Sequence, residues 1–103
     1  RFELAIWFAK AQLCGLSLGK PTYSGSKLRL DFIEGAPGNH PLKGKVVELT
    51  VLAAKTYAAS IEAEQVRIMN PVNADVISYY EKHGFTYFSG KKSNVPSHLW
   101  LNL

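Results

Sequence analysis

This chain of 103 residues has a single cysteine, a small net charge and no long apolar run. The single cysteine, Cys14, excludes an internal disulfide and fits a reducing compartment, so we expect a cytoplasmic protein with a buried, inert thiol. No apolar run reaches the ~18 residues that a membrane span needs. The net charge of +4 is mild and no basic run exceeds Lys91-Lys92, which argues against nucleic-acid binding.

The chain is rich in apolar residues, with 47% hydrophobic and 12% aromatic residues. That is ample for one packed domain over residues 1–103. Alternating and helical periodicities predict a mixed α/β fold whose third and fourth strands run parallel, joined by a mostly buried helix. The predicted order is a hairpin of Glu3–Ala9 and Leu13–Leu18, a loop over residues 19–26, strand Lys27–Glu34, helix Lys45–Ala63, strand Gln65–Met69, a short helix, and strands Phe85–Phe88 and His98–Leu103.

The short helix lies within Asn70–Phe85, which carries its own start and stop signals. Asn73 is a good N-cap, and Val72 with Ile77 has the spacing of a hydrophobic staple. Gly84 suits the left-handed position that commonly follows a helix. We also expect Gly15 to mark a bulge or a close approach within the first hairpin.

Two places could carry chemistry. In the loop Gly38–Lys45, backbone N–H groups at a helix N-terminus, with Gly44 for close approach and two lysines, could hold an anion. The loop could equally be an ordinary connection. Tyr80 is the second candidate, because it lies seven residues after Asn73 and so on about the same helix face, where its phenol could donate a proton. Its ring could instead only pack on Phe85.

Ionisable side chains elsewhere give weaker signals. Asp31 and Glu34 could act as a general base if buried beside an amine, although a solvated carboxylate is the commoner case. No two histidines have the spacing of a zinc pair, so no metal site is expected.

The run Asn70–Phe85 resembles a segment of the GNAT superfamily of N-acyltransferases, whose members often have N-P-x-N-x-x-A-I-x-L-Y-E-K-x-G-F there. The predicted order of elements agrees with that family across essentially the whole chain. The matching positions are Asn70, Pro71, Asn73, Ile77, Tyr80, Glu81, Lys82, Gly84 and Phe85.

The resemblance implies a GNAT-like fold without the usual N-terminal strand and helices. It further implies that acetyl-CoA, or another acyl-CoA, lies where the two parallel strands splay apart, and that a primary amine attacks its thioester directly. Tyr80 would protonate the departing thiolate, and the general base stays open between Glu34, Asp31 and a water. The implied cofactor contacts are Phe32, Ile33 and Glu34 for the pantetheine arm, Asn39, His40, Leu42, Lys43, Gly44 and Lys45 for the pyrophosphate, and Asn73 and Tyr80.

Two departures keep an alternative open. The family's loop usually has the pattern Q/R-x-x-G-x-G/A, and here Asn39 takes its first position while Leu42 stands where glycine is expected. The missing N-terminal elements would leave an apolar edge strand near Trp7, which suits a homodimer. The alternative is a non-catalytic GNAT-like module that binds CoA or a partner protein.

Overall fold

The computed structural model describes residues 1–8, 12–36, 42, 44–90 and 94–103. In this part of the chain, six strands form one sheet in the order β1-β2-β3-β4-β6-β5. β3 and β4 are parallel and the other neighbours are antiparallel, so the predicted mixed α/β fold is confirmed. The elements are β1 (Phe2–Phe8), β2 (Gln12–Pro21), β3 (Lys27–Gly35), α1 (Val46–Ser60), β4 (Gln65–Met69), α2 (Ala74–Glu81), β5 (Thr86–Phe88) and β6 (His98–Asn102).

Both helices cover the same face of the sheet. Side chains directly opposite each other on paired strands share a face, and the central strands carry two such apolar rows. One row is Leu28, Val66 and Leu101, and the other is Leu30, Ile68 and Leu99. All six belong to or pack on the cluster that contains buried residues of both helices, namely Val51, Ala54, Ala58 and Tyr80. The opposite face is left uncovered by the described helices, and we call it the open face.

A glycine at the first hairpin lets α1 come close to the sheet. The β1–β2 register shifts between Ile6 and Trp7, opposite Gly15. A Cβ atom on Gly15 would lie 2.7 Å from Cγ1 of Val46, a distance that real Cβ contacts do not reach. The predicted close approach is therefore confirmed. The neighbouring Cys14 is fully buried, as expected.

Two sequence expectations about β2 and α1 were wrong. The loop predicted from residue 19 begins later, because β2 continues to Pro21. Proline has no N–H to donate to a neighbouring strand. It is tolerated at position 21 because β1 begins opposite Gly19, so no strand lies on the side to which the nitrogen of Pro21 points. In addition, α1 is not mostly buried: Leu52 is 63% exposed, because the helix has a sheet on one side only.

The capping of α2 follows its sequence signals in part. The Oδ1 atom of Asn73 accepts a hydrogen bond of 2.9 Å from the N–H of Val76, and Gly84 has a φ of 93°. The predicted hydrophobic staple does not form, because Val72 is 82% exposed. None of the helices in the described residues is long and apolar enough to cross a membrane.

Candidate functional site

The sheet opens between its two parallel strands. β3 and β4 pair only as far as Leu30 and Ile68. Beyond that point β3 stays paired with β2, whereas the chain after β4 turns away at Asn70, which has a φ of 50° and donates its N–H to the carbonyl of Ser97. The gap is a cleft of about 760 Å³ bounded by β3, the start of α1 and α2.

One wall of the cleft is unpaired strand backbone. The register between β2 and β3 shifts at Leu18 and Gly19, and past this bulge the N–H of Ala36 donates to the carbonyl of Cys14 over 2.9 Å. Because backbone groups alternate in direction along a strand, residues 32 and 34 also bond to β2. The N–H and C=O groups of Ile33 and Gly35 therefore face the cleft.

The other walls are mainly apolar. Val46 and Val47 contribute from α1, and Val72, Val76 and Tyr79 contribute from the approach to α2 and from its first turns. Sequence reasoning did not assign these residues to the site. The spacing of residues 72, 76 and 79 is helical, and that periodicity could have indicated one apolar stripe facing a ligand.

Tyr80 combines both roles that the sequence allowed. It is 5% exposed, and its ring packs edge-on against Phe85 with the ring centroids 5.6 Å apart. Tyr80 also lines the cleft, and its hydroxyl forms no hydrogen bond in the described part of the chain. The pKa of Tyr80 is raised from 10.0 to about 12, mainly by burial and to a lesser extent by the neighbouring Tyr79. The phenol is therefore protonated at neutral pH and free to donate a hydrogen bond into the cleft.

The charged groups on the cleft are acidic. Its described lining contains Asp31, Glu34 and Asp75 and no lysine or arginine. Asp31 is engaged by Arg29 at 2.9 Å. Glu34 and Asp75 are exposed and have no ion pair within the described residues. A cationic group entering the cleft would therefore meet two carboxylates that no described side chain neutralises.

The loop before α1 is only partly described. Asn39, His40 and Lys43 lie outside the described residues. Gly44 lines the cleft with a φ of 83° and open space where a side chain would be. Leu42 packs on the small cluster of Ile6, Cys14 and Val46, and its carbonyl accepts the N–H of Lys45 over 2.9 Å.

The remaining predicted residues fall at different places. Phe32, Ile33 and Glu34 line the cleft. Lys45 is exposed and precedes α1 without a side-chain cap. Asn73 caps α2 through its oxygen and does not line the cleft. In the described part of the chain, no group of three or more histidine, cysteine or acidic side chains could hold a metal ion.

No protein-family model and no curated protein matches the sequence. Solved structures do match. A proposed acetyltransferase from Agrobacterium tumefaciens is 21% identical with a TM-score of 0.67, over 98% of this chain and 72% of that one. Nourseothricin acetyltransferase is 21% identical with a TM-score of 0.67, over 96% and 62%. A GNAT-family acetyltransferase from Listeria monocytogenes 4b F2365 is 12% identical with a TM-score of 0.66, over 93% and 61%.

The chain thus spans between 61% and 72% of the length of these three proteins. At such low identity the likeness concerns the backbone architecture, which extends over almost all of this chain. The protein has the fold of the GNAT acetyltransferases.

Proposed function

We propose that the protein binds acetyl-CoA in the cleft between β3 and β4 and transfers its acetyl group to a primary amine. The observation that carries this proposal is that two walls with different chemistry line the same cleft. One wall offers strand backbone that pairs with no described strand. The other offers Tyr80, which is buried and protonated and whose hydroxyl has no hydrogen bond among the described residues. The acetyltransferases that share the fold support the same reaction class.

The cofactor would lie along the open edge of β3. The amides of a pantetheine arm can pair with the backbone groups of Ile33 and Gly35 in the way that an added strand pairs with a sheet edge. Phe32 and the apolar walls would cover the arm. The pyrophosphate would lie at the N-terminus of α1, where backbone N–H groups and the helix dipole favour an anion. We assign its cradle to Asn39, His40, Leu42, Lys43, Gly44 and Lys45.

In the reaction, the neutral amine nitrogen attacks the thioester carbonyl carbon and the C–N bond forms. The nitrogen then loses a second proton to solvent as the C–S bond breaks and the amide is released. Tyr80 would act as the general acid by donating a hydrogen bond to the leaving sulfur as the C–S bond breaks. An ordinary thiol has a pKa of about 8.5, well below the value of about 12 for Tyr80. Complete transfer is therefore uphill, and the main contribution of Tyr80 is stabilisation of the developing thiolate.

Glu34 would receive the proton that the ammonium group of the acceptor must lose before attack. Its side chain lies on the open face, whereas Tyr80 belongs to a helix on the covered face. The base and the acid would thus stand on opposite sides of the sheet. Because Asn73 does not line the cleft, it would contact a part of the cofactor that extends past the start of α2. It would do so through its amide nitrogen, because its oxygen is occupied in capping α2.

Cofactor binding is tested by thermal unfolding with acetyl-CoA. A ligand at a hundred times its Kd stabilises the fold by about 2.7 kcal/mol, so we expect a rise in Tm of several degrees. An unchanged Tm near millimolar acetyl-CoA would refute cofactor binding. A raised Tm without turnover of any amine would identify the non-catalytic module instead.

The role of Tyr80 is tested by Tyr80→Phe, which keeps the ring packing and removes the hydroxyl. We expect single-turnover acetyl transfer to fall about a hundredfold while the Tm shift with acetyl-CoA persists. Tyr87→Phe is a matched control, because Tyr87 is a half-buried β5 residue that does not line the cleft. An unchanged rate in Tyr80→Phe would make Tyr80 purely structural.

A further inference from the structure

The open face carries an apolar surface that leads to the cleft. Cross-strand partners share a face, and two rows of partners cross β1, β2 and β3. The first row is Glu3, Leu18 and Phe32, and the second is Ala5, Leu16 and Glu34. Leu16, Leu18 and Phe32 are 41%, 42% and 42% exposed. We call these three residues the apolar patch.

The apolar patch meets the cleft at a single strand. Phe32 and Glu34 stand on either side of Ile33, whose backbone faces the cleft, and all three line it. A molecule lying on Leu18 and Phe32 would therefore reach the cleft beside the carboxylate of Glu34. That carboxylate has no ion pair in the described residues, whereas the nearby Asp31 is held by Arg29.

We propose that the acceptor is a primary amine attached to an apolar or aromatic group, and that the apolar patch holds this group while Glu34 attracts the ammonium. The inference rests on the proposed acetyl transfer and specifies its substrate class. Charge and surface agree on this class, because an ammonium complements the unpaired carboxylate and an apolar body removes the exposed leucine and phenylalanine surface from water. An acceptor with its own carboxylate near the amine would be repelled.

Three amines distinguish these features: 2-phenylethylamine, ethylamine and β-alanine. We expect kcat/KM, measured by release of the CoA thiol, to be about tenfold higher for 2-phenylethylamine than for ethylamine. A tenfold difference is at the lower end of the discrimination that an added apolar group gives in an enclosed pocket. We expect this lower value because the residues of the apolar patch are partly exposed to solvent. β-Alanine should be the poorest of the three. Equal kcat/KM values for all three would overturn the inference.

The patch itself is tested by Leu18→Gln, a substitution at an exposed strand position outside the cleft lining. We expect the ratio of kcat/KM for 2-phenylethylamine to kcat/KM for ethylamine to fall about tenfold, so that the two amines react about equally well. Leu52→Gln is the matched control, because Leu52 is exposed on the outer side of α1, and the ratio should stay as in the unchanged protein. A ratio that Leu18→Gln leaves intact would remove the patch from acceptor binding.

Failure of this inference differs from failure of acetyl transfer. A Tm shift with acetyl-CoA together with turnover that is indifferent to the apolar group refutes the acceptor class and leaves the reaction standing. The absence of both the Tm shift and turnover refutes the reaction and, with it, the acceptor class.

Discussion

The two halves of β3 have different neighbours. Residues 27–30 pair with β2 on one side and with β4 on the other, and their inward side chains, Leu28 and Leu30, are buried. Residues 32–35 pair with β2 alone, and together with Asp31 at the bulge they line the cleft. A single strand thus provides the centre of the core in one half and a binding wall in the other.

A bulge divides the two halves. Before it, the backbone of Leu28 and Leu30 faces β4, and after it, the backbone of Ile33 and Gly35 faces the space that β4 has left. The cleft lies beyond the carboxyl ends of two parallel strands, where ligands commonly bind in open α/β sheets. Fold stability and ligand contact can therefore be changed separately along one strand.

The largest expected effect is on the fully paired half. Leu28 has no exposed surface, so Leu28→Ala should lower the free energy of unfolding by about 4 kcal/mol through lost burial and a cavity. Urea denaturation measures this change. Phe32→Ala, in the other half, removes a larger side chain that is 42% exposed and should cost less than half as much. Equal losses of stability from the two variants would contradict the view that only the first half of β3 supports the core.

A smaller effect is expected at high pH, through the residue that joins the core to the cleft. Tyr80 has a raised pKa of about 12 in the folded protein, against 10.0 for its ordinary value. Between these values the folded protein holds more protons than the unfolded chain, so stability falls as pH rises. The stability linked to Tyr80 is complete below about pH 10 and should drop by roughly 2 kcal/mol by pH 12.

The measurement is the free energy of unfolding at pH 9 and pH 11.5 for the unchanged protein and for Tyr80→Phe. Other tyrosines and lysines titrate in the same range, so the difference between the two proteins isolates Tyr80. The decline with pH should be shallower in Tyr80→Phe. Parallel declines would show that burial does not raise the pKa of the phenol.

Much of the paired half could be predicted from sequence. Alternation of Leu28, Leu30 and Phe32 with charged residues identified β3, and the helical spacing of Val51, Ala54 and Ala58 identified the buried side of α1. The caps at Asn73 and Gly84 were also predictable, because a cap depends on a few neighbouring residues.

The cleft was harder to predict, because its form depends on contacts between distant segments. The bulge that turns Ile33 toward the cleft follows from the register between β2 and β3, and alternation within β3 alone gives no sign of it. The extension of β2 through Pro21 similarly depends on where β1 begins. The resemblance indicated the place of the cleft. The structure was needed to show that, among the described residues, the Tyr80 hydroxyl forms no hydrogen bond and the Glu34 carboxylate forms no ion pair.

The smallest expected effect concerns the turn that takes the chain away from β3. Asn70 has a φ of 50°, a left-handed conformation that asparagine and glycine tolerate better than other residues. Asn70→Ala should therefore lower the free energy of unfolding by about 1 kcal/mol, whereas Asn70→Gly should leave it nearly unchanged. Chemical denaturation compares the two variants. Because the backbone conformation opens the cleft, Asn70→Gly should also keep the Tm shift with acetyl-CoA. Equal destabilisation by both substitutions would mean that the side chain of Asn70, and not its left-handed backbone, holds the turn.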